Sequence, residues 1–221
     1  MSDSLDQSIA PDTAPEGTVL LIIDMVSCWD FPDAEFLLPQ AARIAPLIAT
    51  LKARCRERGM PVIYANDNRG RWRSDFRSLV TESLAGESDG SHITRTLLPG
   101  EEDYFVLKPK HSAFFGTPLD LLLQHLEARR VVLTGVSSDQ CILATAIAAR
   151  MRDLDVVVPG DCVASQSTAR NNAVLRQFES AMNLPIVPST QIRLDRFGAD
   201  APANQPSARA TRDQQKGESS D

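Results

Sequence analysis

Six short apolar runs recur along the chain: Thr18-Val-Leu-Leu-Ile-Ile23, Pro61-Val-Ile-Tyr-Ala65, Tyr104-Phe-Val-Leu107, Val131-Val-Leu-Thr134, Asp155-Val-Val-Val158 and Leu184-Pro-Ile-Val187. Each is continuous rather than alternating and most are rich in β-branched residues, the pattern of strands covered on both faces. Amphipathic stretches lie between them. Ile44, Leu47, Ile48, Leu51 and Cys55 fall at helical spacing, and Gly59 follows as a stop. Thr117-Pro118 offers a cap and a first-turn proline before the apolar face of Leu119, Leu122, Leu123 and Leu126. A third helix begins at Cys141 in a stretch rich in Ala, Ile and Leu, and Ser167 caps a fourth that ends near Met182. Strand alternating with helix predicts a three-layer α/β/α, Rossmann-like domain around a mostly parallel six-stranded sheet. Residues 81–102 break the rhythm: they are polar and hold Gly86, Gly90, Pro99 and Gly100, which reads as an insertion or lid.

The 221 residues suit one domain, placed at 17–198. Residues 1–16 are rich in Ser, Asp and Pro, and 199–221 contain no Leu, Ile, Val, Met or aromatic residue. Neither tail can offset its ordering entropy by burial, so both are expected to be disordered. The tails also hold most of the charge. Of the formal −6, residues 1–16 carry −4 and 199–221 carry −1, which leaves a near-neutral body. A neutral body lacks the concentrated basic face of a nucleic-acid binder. No apolar run approaches the roughly 18 residues of a membrane span, and the start lacks the basic and apolar stretches of a signal peptide. Four cysteines without a close pair do not make a disulfide framework. The expectation is a cytoplasmic protein with reduced thiols that engages neither membrane nor nucleic acid.

In open α/β sheets ligands bind beyond the carboxyl ends of the strands, so chemistry is sought there. The first run ends at Asp24, a carboxylate costly to bury unless paired, and so either a structural hydrogen-bonding group or an acid–base residue. The third run leads into Lys108-Pro-Lys-His-Ser112, which puts the Lys108 ammonium near the sheet edge. The fourth leads into Gly135-Val-Ser-Ser-Asp-Gln-Cys141, where a thiol at a helix start meets unpaired N–H groups that favour thiolate. The alternative for Cys141 is a small core residue under that helix. Cys55 falls on an apolar stripe, while Cys28 and Cys162 sit in loops near strand ends. His92, His111 and His125 are scattered without metal-ligand spacing, and neither a metal nor a cofactor is expected.

Asp24, Lys108 and Cys141, with their flanks Leu20-Leu-Ile-Ile-Asp24-Met, Lys108-Pro-Lys-His-Ser-Ala-Phe-Phe-Gly-Thr-Pro-Leu119 and Thr134-Gly-Val-Ser-Ser-Asp-Gln-Cys141, carry a resemblance. The chain resembles the isochorismatase-like cysteine hydrolases, which include nicotinamidases, N-carbamoylsarcosine amidases and ureidoacrylate amidases. The likeness implies a catalytic triad of Asp24, Lys108 and Cys141. It also implies a non-proline cis peptide between Val136 and Ser137, and an oxyanion hole from the N–H groups of Ser137 and Cys141. The chain departs from family habit at Val26, where relatives often have Gln, and at 65–72, where nicotinamidases carry metal ligands and this chain reads Ala-Asn-Asp-Asn-Arg-Gly-Arg-Trp. Isochorismatases proper have lost the cysteine.

The implied reaction is hydrolysis of a small amide, ureide or carbamoyl C–N bond through a thioester. Alternatives are vinyl-ether hydrolysis of the isochorismatase type, a binding module without turnover, or a redox sensor in which Cys28 or Cys162 resolves Cys141. Arg69, Arg71, Trp72 and Arg73 follow the second run, where a guanidinium could meet a substrate carboxylate and Trp72 wall the site, or the loop could be a solvated or subunit-contact surface. Phe114 and Phe115 either line the same site or pack. Relatives are commonly dimers or larger, so a homo-oligomer acting on a small molecule is expected.

Overall fold

The computed structural model describes residues 17–194 except 71, 74 and 185, and both predicted tails lie outside that range. The chain alternates strand and helix: β1 (Thr18–Ile23), α1 (Ala34–Arg56), β2 (Val62–Asp67), α2 (Phe76–Ser83), α3 (Asp89–Thr96), β3 (Tyr104–Lys108), α4 (Leu119–His125) and β4 (Arg130–Val136). A π-helical turn, Ser138–Ile142, then runs into α5 (Leu143–Arg150), followed by β5 (Asp155–Pro159), β6 (Val163–Ala164), α6 (Thr168–Met182) and β7 (Ile186–Val187). The strands pair in parallel in the order β3-β2-β1-β4-β5-β7, with β6 alongside the end of β4.

Parity along the central strands explains the three layers. Leu20 and Ile22 of β1 face a core shared with α1, α2 and α3, whereas Val19, Leu21 and Ile23 face one shared with α4, α5 and α6. Both faces being covered, these strands have no polar side to show. Among the described residues the six expected strands are joined by a short seventh, β6, which pairs Gly135 with Val163 and Val136 with Ala164. A two-residue strand is too short to announce itself by periodicity.

The 81–102 region is not a lid. It holds the end of α2 and all of α3, each with its own cap: Asp75 accepts from the Ser78 N–H, and Ser88 with Ser91 forms a capping box. Ile93 and Leu97 are buried in the α1-side core, so the segment is anchored as a structural layer. Other helix expectations moved by a residue or two. The Thr117 hydroxyl accepts from the Leu119 N–H although Pro118 takes the cap position, and Leu47 lies on the exposed side of α1.

A buried charge network pins α1 to the chain leading into β3. Lys52 Nζ donates to Tyr64 Oη at 2.7 Å and to the Leu98 carbonyl at 2.8 Å, and lies 3.0 Å from Asp103 Oδ2. Arg56 reaches the same Asp103 oxygen at 2.7 Å, and the Tyr64 hydroxyl donates to the Leu97 carbonyl. Burial opposes the Asp103 charge, but the Gly100 N–H, Arg56 and Lys52 outweigh it and hold the carboxyl below its ordinary range. Removing Lys52 leaves Asp103 held by Arg56 and the Gly100 N–H but takes the donor from the buried Tyr64 hydroxyl and the Leu98 carbonyl. Lys52→Met is therefore expected to lower stability by about 1–3 kcal/mol in urea unfolding. Because the folded Asp103 pKa is depressed, its contribution is present above the ordinary carboxylate pKa and lost as the pH falls through the folded value.

Candidate active site

Three strand ends converge on one side of the sheet. Ile23 is paired with Ala65 and with Gly135, so the residues that follow β1, β2 and β4 emerge at one level. Asp24 turns out of β1 in a left-handed conformation, φ 54°, and its N–H donates to the Ala65 carbonyl. Gly135 permits the close approach: at φ 110°, a Cβ there would lie 2.0 Å from the Ile23 carbonyl oxygen. Beyond it, the Val136–Ser137 peptide is cis and the π-helical turn delivers Cys141.

Lys108 joins the parts. Its ammonium, 0% exposed, lies 2.8 Å from Asp24 Oδ2 and 3.5 Å from Cys141 Sγ. The other Asp24 oxygen accepts from the Asp67 N–H at 2.7 Å. Asp67 is the register partner of Lys108, and its Oδ2 stands 3.9 Å from the ammonium. Burial alone would lower the Lys108 pKa, but Asp24, Cys141 and Asp67 outweigh it and raise it above the ordinary lysine range. The thiol shifts the other way from the one its helix suggests. Burial, then the negative charge of Asp24, pushes Cys141 well above the ordinary thiol range, and Lys108 only partly opposes them. Cys141 is the fourth residue of a helical run that starts at Ser138, and at 8% exposure it gains little from the unpaired first-turn N–H groups. Burial and Asp24 thus favour the thiol form, against the influence expected of the helix start.

The matching sequence model is that of the Isochorismatase domain, over residues 18–191. The chain belongs to the isochorismatase family. It is 37% identical over 173 residues to the uncharacterized isochorismatase family protein YaaI of Bacillus subtilis, covering 78% of this chain and 94% of that protein. Against the ureidoacrylate amidohydrolase RutB of Cronobacter sakazakii it is 28% identical, with 60% and 68% covered. The crystal structure of N-carbamoylsarcosine amidase from Thermoplasma acidophilum superposes with a TM-score of 0.60 at 25% identity, over 80% of this chain and 98% of that one. The fold is thus that of isochorismatase-family hydrolases, among which amidases are found.

Other expected residues fall less centrally. Arg69, itself left-handed at φ 56°, donates its N–H to Asp67 Oδ1 at 2.6 Å, while its guanidinium is paired with Asp30. That pairing ties the β2–α2 loop to the β1–α1 loop and engages the group expected to meet a substrate carboxylate. Trp72 stands in solvent at 80% exposure, and Arg71 is not among the described residues. Phe114 is 6% exposed in the core, with the Arg152 guanidinium 4.5 Å from its ring centre, so it packs rather than lines the site. Cys162 and Cys55 belong to the core on the opposite face of the sheet from Cys141, and burial raises both to about 12. Cys162 is thereby removed as a resolving thiol.

Two neighbours were missed by sequence reasoning. His111 Nδ1 stands 3.7 Å from Cys141 Sγ, on an exposed residue at the mouth of the site, and Asp67 supports both Asp24 and Lys108. The available signal was position: His111 follows Lys108 in the same strand-end loop, and Asp67 closes β2. Among the described residues no group of His, Cys, Asp or Glu is arranged to hold a metal ion, and no helix is long and apolar enough to cross a membrane.

Proposed function

We propose that this chain is a cysteine-dependent amidohydrolase that cleaves the C–N bond of a small amide, ureide or carbamoyl compound through a thioester on Cys141. One observation carries the reading: a single buried ammonium touches both a carboxylate, at 2.8 Å, and a sulfur, at 3.5 Å. A cation so placed holds the Asp24 carboxylate beside the thiol and favours negative charge on sulfur as its proton leaves.

Burial and Asp24 favour the thiol form, so attack and proton transfer go together. Asp24 takes the thiol proton as Sγ bonds to the carbonyl carbon and the carbonyl π electrons move onto oxygen. The N–H groups of Ser137 and Cys141 receive that oxyanion, each donor contributing roughly 3 kcal/mol. Collapse breaks the C–N bond, and Asp24 gives its proton to the departing nitrogen. A water then attacks the thioester, Asp24 takes its proton, the C–S bond breaks, and the proton returns to sulfur with release of the acid. Lys108 remains an ammonium throughout. The deep placement of Sγ supports a slim substrate end such as a primary amide or ureide. We further propose that the enzyme works as a homo-oligomer on a free small molecule.

The test is ammonia release from a panel of small primary amides, ureides and carbamoyl compounds. At least one is expected to be hydrolysed by the wild type and spared by Cys141→Ala. Equal rates for the two proteins would remove the nucleophile from the account.

A further inference from the structure

Asp139 lies between the two residues whose N–H groups are proposed to hold the oxyanion, and its carboxylate is saturated by groups from two elements. Oδ1 accepts from the Ser137 hydroxyl at 2.8 Å and from the Ser165 hydroxyl at 2.6 Å. Oδ2 accepts from Arg170 Nε at 2.9 Å and from a terminal guanidinium nitrogen at 2.5 Å. Ser165 directly follows β6, the two-residue strand paired with the end of β4, and Arg170 sits in the first turn of α6. The side chain is 18% exposed. These hydrogen bonds outweigh the burial that opposes its charge, and the Asp139 carboxyl is held below its ordinary range.

We infer that Asp139 is a positioning residue that, through Ser165 and Arg170, fixes the Ser137–Cys141 turn in the geometry its two amides need to receive an oxyanion. This deepens the proposed amidohydrolase and rests on that reading. The turn has its own internal bonds, since the Gln140 and Ile142 N–H groups both return to the Ser137 carbonyl, but those hold it to itself. Among the hydrogen bonds of the described residues, those of the Asp139 carboxylate tie it sideways to Ser165 after β6 and to Arg170 of α6, beside the apolar packing of Cys141 and Ile142. The same bonds turn the Ser137 hydroxyl onto Asp139 and away from any competing role. Oxyanion donors act by being fixed before the charge develops, so loosening the frame lowers the rate of the chemical step more than substrate binding.

The experiment compares wild type, Asp139→Asn, Ser165→Ala and Arg170→Lys on a substrate found in the amide panel, together with hydrogen exchange of the peptide spanning 137–142. Asp139→Asn is expected to lower kcat roughly tenfold to a hundredfold with KM within about threefold. Ser165→Ala, which loses one hydrogen bond and leaves the charge pair, and Arg170→Lys, which keeps the charge but not both donors, should fall between it and the wild type. Exchange in 137–142 should quicken in the order of lost kcat. An unchanged kcat in folded Asp139→Asn, a loss carried in KM instead, or unchanged exchange would overturn the inference. If the wild type hydrolyses nothing in the panel, the functional reading fails on its own and the exchange comparison still decides whether Asp139 holds the turn.

Discussion

Cys141→Ala is expected to lower turnover of any C–N substrate by about 10⁴-fold or more while the protein stays folded. The magnitude follows from removing a nucleophile that acts as one unit with its base, where losing one member costs nearly as much as losing all. The folding half follows from the neighbourhood. The Lys108–Asp24 pair at 2.8 Å does not depend on sulfur, and Ala removes a group whose thiolate form burial already disfavours. Steady-state ammonia release with a urea unfolding curve for each protein checks both halves. A variant that keeps a tenth of wild-type activity would be incompatible with a thioester.

Asp24→Asn is expected to separate reactivity from catalysis. Asp24 raises the Cys141 pKa, whereas Lys108 lowers it. Neutralising the carboxylate leaves the ammonium beside the sulfur opposed only by the more distant Asp67, so the thiolate becomes more accessible at neutral pH. Alkylation by iodoacetamide should quicken by about threefold for each unit of pKa lowering, since the gain in thiolate fraction is partly offset by its weaker intrinsic nucleophilicity. Turnover should nevertheless fall by roughly 10³-fold, because no group remains to carry the proton from sulfur to the leaving nitrogen. Lys108→Met should slow both, having removed the positive charge and left Asp24 uncompensated. Parallel loss of alkylation and turnover in Asp24→Asn would mean that the carboxylate merely supports the fold.

The strand ends were readable because chemistry and periodicity coincide there. Asp24 follows β1, Lys108 ends β3 and Cys141 lies in the turn after β4, and a parallel sheet puts all such ends on one edge. What the pattern could not show depended on neighbours far along the chain. The helix start speaks for thiolate at Cys141, whereas the opposing influences, burial and Asp24, come from elements far along the chain and are not visible in the local segment. Residues 81–102 read as an insertion or lid because α3, built largely of Ser, Thr, Asp and Gly, carries few apolar residues, yet Ile93 and Leu97 suffice to anchor it. Arg69 and Phe114 were plausible binders by position, but Asp30 engages one and the core the other. Lys52 belongs to a residue type usually left at the surface, and nothing local marks it for burial beside Tyr64 and Asp103.

The covalent step can be observed directly. With a hydrolysed substrate at saturation, acid-quenched samples taken during turnover are digested and the peptide containing Cys141 is weighed. The account predicts an added mass equal to the substrate's acyl group on Cys141, absent before substrate is added and gone after it is consumed. Steady product formation with that peptide unmodified throughout, or with the acyl group on another residue, would contradict it.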